Sequence, residues 1–163
     1  NMLGEKQNTV KLFRVMPNIA IQAGNGVIGV TYEEQDFEII QDTLNVLKTL
    51  GYVLRMDEES LNYITVTAAS GLAFAACMMK SYQKASNTLI NDDEKSKEIT
   101  IRVFENVINM IKEEDCSFDD IIGRITTNGG TTEAGMKNLN QELITENIGL
   151  CMKKSYEKAN NIM

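Results

Sequence analysis

Hydrophobic and polar positions follow one rhythm near the start of this chain and another through the rest. Residues 10–15, Val10-Lys11-Leu12-Phe13-Arg14-Val15, alternate with β-branched side chains at both ends, which predicts a strand. The alternation halts at the turn signal Met16-Pro17-Asn18. After a glycine-spaced stretch, residues 27–32 predict a second strand. Phe37, Ile40, Leu44 and Leu47 then recur at helical spacing, so residues 34–50 predict an amphipathic helix. Gly51 stands where a helix stop belongs, and residues 52–56 predict a short third strand.

From Asp57 onward the strand signals cease. Residues 58–89 predict one long helix, dense in small side chains at Ala68, Ala69, Gly71, Ala73, Ala75 and Ala76 that let another helix approach closely. Asn91-Asp92-Asp93-Glu94 opens a further helix, with acids where the helix dipole favours them and an apolar face of Ile99, Val103, Val107 and Met110 or Ile111. Ser117 can cap a short helix through Arg124. A turn at Gly129-Gly130 precedes a final helix through Met163, with Met136, Leu139, Leu143, Ile148 and Met152 among its apolar positions. The fold class is therefore mainly α. Residues 1–56 form a β-α-β-containing part and residues 57–163 an all-helical one.

Composition narrows the chemistry. The 163 residues suit one domain, or one and a small piece, and 43% hydrophobic content supports a core. A net charge of −7, from 23 acidic and 16 basic residues, argues against a nucleic-acid or anionic-membrane surface. Histidine is absent, which excludes Ser-His-Asp triads and HExxH zinc sites, and no metal site is expected. Cys77, Cys116 and Cys151 form no CxxC pair, so buried or inert thiols in a reducing, cytoplasmic setting are expected. The most apolar run, residues 68–79, is interrupted by Ser70 and Gly71. Neither a leader segment nor a membrane span, which needs about 18 apolar residues, is expected.

Gly24-Asn25-Gly26-Val27-Ile28-Gly29 matches the dinucleotide fingerprint GxGxxG in letters only. That fingerprint works when a helix follows directly and offers its N–H groups to a pyrophosphate, whereas here strand formers follow. The acidic clusters at residues 57–59, 92–94 and 113–115 lack calcium-loop spacing, and two of them cap predicted helices. Asn128-Gly129-Gly130-Thr131-Thr132 is the strongest local candidate. Its glycines leave backbone uncovered and a helix starts after it, which fits an anion niche as well as a plain helix–helix turn.

Taken in order, these residues resemble the second half of pyrroline-5-carboxylate reductases. The resemblance runs through Phe13-Arg14-Val15-Met16-Pro17-Asn18, Gly24-Asn25-Gly26-Val27 and Leu50-Gly51-Tyr52-Val53 with Asp57-Glu58. It continues in Ser70-Gly71-Leu72-Ala73-Phe74, similar to that family's Ser-Gly-Ser-Gly-Pro-Ala-Tyr helix opening. It ends in residues 125–136, similar to the Val-Thr-Ser-Pro-Gly-Gly-Thr-Thr-x-Ala-Gly-Leu signature. The resemblance implies a Rossmann domain binding NADH or NADPH, followed by a helical dimerisation domain of the 6-phosphogluconate dehydrogenase C-terminal type that interlaces with a partner. It implies hydride transfer to the C=N carbon of 1-pyrroline-5-carboxylate, a cyclic imino carboxylate, giving L-proline. By the same resemblance Gly129, Gly130, Thr131 and Thr132, with Ser70 and Gly71, would bind substrate. The N–H groups of Gly130 and Thr131 would take its carboxylate and the Thr132 hydroxyl its ring nitrogen. Met16, Pro17 and Asn18 would lie near the nicotinamide. No side chain is assigned to proton or hydride chemistry, because the cofactor supplies it.

Family positions depart at Leu72, Phe74 and Asn128, at Ala68-Ala69, at Ile19-Ala20 after Met-Pro-Asn, and at Gly123 in place of an acid. The expectation is a carboxylate niche kept and a nicotinamide wall altered. No true glycine fingerprint is present, so the chain by itself is expected to be inactive and to bind no dinucleotide, and its strands to need neighbours along their edges. A homodimer, or a higher oligomer built on it, is expected through residues 58–89 and 133–160. The alternative is a divergent or non-catalytic homologue, kept for dimerisation or regulation or acting on another imine.

Overall fold

A computed structural model describes residues 12–33 and 37–161 of the chain. The predicted strand positions Val10 and Lys11, the predicted helix positions 34–36 and the last two residues lie outside the described part. β1 (Phe13–Met16) runs antiparallel to β2 (Gly26–Tyr32). α1 (Phe37–Lys48) then returns the chain to β3 (Gly51–Arg55), which pairs parallel to β2, so the sheet order is β1-β2-β3. Between β1 and β2 the chain forms a 3-10 turn, Ile19–Ala23, that closes at Gly24.

Two expectations for this part change. Ile40, Leu44 and Leu47 are half-buried along α1, but Phe37, at the helix's first position, is 79% exposed. Gly51 does not stop the helix. α1 closes earlier, with Thr49 and Leu50 donating to the carbonyls of Val46 and Leu47 at 3.1 and 3.0 Å, and Gly51 opens β3 opposite Gly26.

The predicted long helix is continuous from residue 58 to 90 but not uniform. It begins as a 3-10 turn (Glu58–Ser60), continues as α2 (Leu61–Ile64), widens to a π-helical segment (Thr65–Ser70) and becomes α3 (Gly71–Ile90). By length and composition alone this run is apolar enough to cross a membrane, contrary to expectation, and 22% of its most apolar window is buried. Its alanines, Met and Leu outweigh Ser70 and Gly71 in mean hydropathy. α4 (Asp93–Glu114), α5 (Phe118–Ile125), α6 (Thr131–Met136) and α7 (Gln141–Asn160) follow.

The chain forms two compact units, residues 12–73 with 150–161 and residues 74–149, so the division falls inside α3 and α7. In the first unit Ile28, Val30, Leu61, Ile64 and Val66 are buried, and α2 lies directly on β2. The contact is at Gly29, where an added Cβ would lie 2.9 Å from Ile64 Cγ1 and 3.1 Å from Leu61 Cδ2. Asn62 Nδ2 donates to Asn160 Oδ1 at 2.8 Å, and the Tyr63 and Tyr156 rings stack at 5.2 Å, which fastens the end of α7 to α2.

In the second unit Val103, Val107, Met110 and Ile111 of the expected α4 face are half-buried, while Ile99 is exposed. The fully buried residues of α4 are Ser96 and Thr100. Both are satisfied: Ser96 Oγ donates to Asn87 Oδ1 at 3.2 Å and Thr100 Oγ1 to the Ser96 carbonyl at 2.7 Å. The α3–α4 connection is only two residues long, so small side chains fit where the helices leave it. Asp92 caps α4 through the Lys95 N–H, and Ser117 and Asp120 form a reciprocal capping box on α5. The predicted final helix is two helices. α6 ends at Met136, and Asn140 starts α7 by accepting the Leu143 N–H at 2.9 Å, because an asparagine side chain competes with the helix ladder. Ile121 is the one large apolar side chain of this unit that is fully buried among the described residues. Met78, Tyr82, Leu89, Ile99, Ile108 and Phe118 are exposed, as are Ile122, Ile125, Leu139, Leu143 and Ile144. Cys77 and Cys151 are also exposed and Cys116 is half-buried, so of the expected buried or inert thiols none is fully buried.

Candidate functional site

The candidate residues fall into two groups, one in each compact unit. In the first unit, β1 delivers Met16, Pro17 and Asn18 to the edge where β2 and β3 begin. Asn18 is 6% exposed. Its Oδ1 accepts the N–H groups of Ala20 at 3.2 Å and Val27 at 3.3 Å, and its Nδ2 donates to the Ala68 carbonyl at 3.2 Å. That last bond reaches the π-helical segment, whose final residue is Ser70 and whose successor is Gly71, both half-buried. Met16–Asn18 and Ser70–Gly71 are thus brought into one neighbourhood. Asn18 itself holds protein partners through three of its four hydrogen-bonding sites.

GxGxxG residues 24–29 lie at the end of the 3-10 turn and inside β2, and no helix follows them directly. They form no phosphate cradle. A cleft of about 560 Å³ lies at the opposite ends of β2 and β3, lined by Thr31, Tyr32, Arg55, Asp57 and Glu58 among others. Its charged residues have partners: Glu58 pairs with Arg14, and the Arg55 guanidinium sits 4.7 Å from the centre of the Tyr32 ring. No group of three or more potential metal ligands occurs among the described residues.

In the second unit, residues 127–133 form the loop and first turn before and into α6. Gly129 adopts φ +73°, and Gly130, at φ −82° and ψ 168°, is the N-cap of α6. The Gly130 N–H donates to the Thr127 carbonyl at 3.0 Å, so it is already engaged inside the loop. Room is short there as well: a Cβ on Gly130 would lie 2.6 Å from Thr127 Oγ1. Thr131 and Thr132 stand in the first turn of α6, where N–H groups have no intrahelical acceptor. The sequence reading missed Glu133. Its Oε2 accepts the Gly129 N–H at 2.9 Å and its Oε1 pairs with Lys137 Nζ at 3.3 Å. The signal was available, since an acid in the first helical turn after a glycine loop can fold back onto loop N–H groups.

Comparison with known proteins follows the same outline. Residues 58–162 match the family described as pyrroline-5-carboxylate reductase dimerisation. The pyrroline-5-carboxylate reductase of Staphylococcus aureus is 29% identical over 156 residues, covering 95% of this chain and 57% of the relative. That of Staphylococcus haemolyticus is 28% identical over 150 residues, covering 90% of this chain and 54% of the relative. The chain therefore spans a little over half the length of these relatives. Among solved structures, a pyrroline-5-carboxylate reductase from Coxiella burnetii superposes with a TM-score of 0.86 at 22% identity, over 95% of this chain and 58% of the other. The Plasmodium falciparum pyrroline carboxylate reductase, crystallised with NADP bound, gives 0.82 at 18% identity, over 92% and 60%. These likenesses place the fold of both the sheet and the helices.

Proposed function

Because the chain belongs to the pyrroline-5-carboxylate reductase dimerisation family, we propose that it is the C-terminal part of a reductase that converts 1-pyrroline-5-carboxylate to L-proline. The observation that carries this reading is the match over residues 58–162, which includes both the Ser70-Gly71 helix opening and the Gly129–Thr132 loop. When bound, NADH or NADPH supplies the hydride for the imine carbon. The described residues contain no strand–GxGxxG–helix unit to hold its phosphates, so this chain alone neither binds the dinucleotide nor turns over substrate.

The chain's own residues bind and orient. First-turn N–H groups of Thr131 and Thr132 suit an anionic carboxylate. The Thr132 side chain has no hydrogen-bond partner among the described residues, which leaves its hydroxyl for the ring nitrogen. Fixing the carboxylate and the nitrogen aims the C=N carbon, and orientation of this kind lowers a barrier substantially. Met16 and Pro17 contribute to the nicotinamide wall. The exposed apolar side chains of α3, α4 and α7 form the face on which a second copy docks, giving a homodimer whose light-scattering mass is twice that of one chain.

One observation favours a second reading, a dimerisation module without turnover. The Glu133 carboxylate already occupies the Gly129 N–H, where a substrate carboxylate would be repelled. Complementation of a proline auxotroph by the complete gene separates the two. Growth without proline supports the reductase, and no growth despite abundant folded protein supports the module.

A further inference from the structure

Among the described residues, Asn18 is the one buried polar side chain in the sheet-containing unit that joins separate stretches of chain through both ends of its amide. Its oxygen uses both lone pairs, on the N–H groups of Ala20 and Val27, and its nitrogen reaches the Ala68 carbonyl, 50 residues away in sequence. The orientation of the amide is unique. Turning it over would face NH₂ against two N–H donors and oxygen against a carbonyl, three repulsive contacts inside a site that is 6% exposed. Ala68 lies in the π-helical segment, and a widened turn of this kind commonly marks a functional position in a helix.

We propose that Asn18 is a positioning residue: its Nδ2–H bond to the Ala68 carbonyl sets the distance between the Met16–Pro17 wall and Ser70–Gly71, rather than touching the dinucleotide. The proposal rests on the reductase reading for its kinetic consequence, but its geometry stands by itself. A hydride donor and its acceptor carbon must meet within a narrow range, and a misplacement of about 1 Å costs roughly a hundredfold in rate. A single hydrogen bond, from the residue that follows Met16–Pro17 to the π-helical segment that leads into Gly71, controls that separation. Aspartate at this position keeps the two accepted bonds but loses the donated one and sets its second carboxylate oxygen against the Ala68 carbonyl. Serine is too short to reach Ala68 and introduces no charge.

The test is Asn18→Asp in the complete reductase, with Asn18→Ser read in the same way if the first variant does not fold. The expected result is a fall of at least about tenfold in kcat with a rise in KM for the imino carboxylate, KM for NADPH within about twofold of the parent, and a larger primary deuterium isotope effect with the deuterated dinucleotide. A merely structural role would lower the amount of active enzyme and leave both KM values and the isotope effect unchanged; that outcome overturns the proposal. A rise in KM for NADPH alone also overturns it and returns Asn18 to cofactor binding. Side-chain amide exchange of the unmutated protein, read by NMR with asparagine-selective labelling, is independent of activity. One Asn18 Nδ2 proton should be strongly protected, and exchange as fast as that of the exposed Asn161 would remove the bond. If the parent protein reduces no imine while this proton is protected, the reductase reading fails and the Asn18 link survives.

Discussion

Replacing Gly51 by alanine tests how the sheet is held at the end that carries the candidate residues. Gly51 opens β3 directly opposite Gly26 of β2, with φ +149°, in the region that side-chain-bearing residues avoid. A Cβ there would overlap the backbone O, N and C atoms of Gly26, so no side-chain rotation relieves it. Forcing the backbone angle costs about 1–3 kcal/mol, and overpacking against a paired strand costs about 1–3 kcal/mol more. Taking roughly 3 kcal/mol against a typical stability of about 5–15 kcal/mol, the variant remains folded but weakened. With a urea slope of about 1–3 kcal/mol per molar, the unfolding midpoint should fall by at least about 1 M. Gly123→Ala is the control, because that glycine lies inside α5 with open space around it, and it should gain about 0.5–1 kcal/mol. A Gly51→Ala loss under about 1 kcal/mol would refute the close approach of β2 and β3.

Acid should act first on two helix starts. Lys95 holds the Asp92 carboxyl below the usual range, first through its side chain and then through its backbone N–H, and Ser117 does the same for Asp120 through hydroxyl and backbone. Both carboxyls are depressed in the folded state, so their stabilisation is complete above the unfolded value of about 3.9 and is lost as pH falls through the folded values. Helix content followed by circular dichroism should therefore fall below about pH 4, and Asp92→Asn with Asp120→Asn should flatten that limb. Thr132→Ala in the complete reductase should lower kcat/KM for the imino carboxylate by an amount equivalent to about 1–3 kcal/mol, and an unchanged value removes Thr132 from the site.

Local signals decided which parts of this molecule were legible beforehand. The strands, the Ser117 cap and the Asp92 start follow from alternation and capping chemistry within a few residues, and they appear where expected. Gly51 was misread because a glycine after a helix has two uses, and only pairing with Gly26 selects the second. The break before Asn140 was missed because apolar spacing continues across it while a side-chain cap ends the ladder. Ser96 and Thr100 were passed over because periodicity counts apolar residues and cannot see a close helix approach that calls for small polar ones. At the candidate site, the Gly129–Thr132 loop was visible as a motif, whereas the Asn18–Ala68 bond spans 50 residues and no local pattern encodes it. The engagement of the Gly130 N–H with Thr127 was equally hidden, since it depends on loop closure.

The central claim is that this chain completes an imine reductase. The most direct measurement supplies the purified complete gene product with 1-pyrroline-5-carboxylate and NADH or NADPH, then follows dinucleotide oxidation and L-proline together. The account predicts one proline formed for each dinucleotide oxidised, and no oxidation by residues 1–163 alone under the same conditions. A folded complete protein that oxidises neither dinucleotide in the presence of this substrate would contradict it.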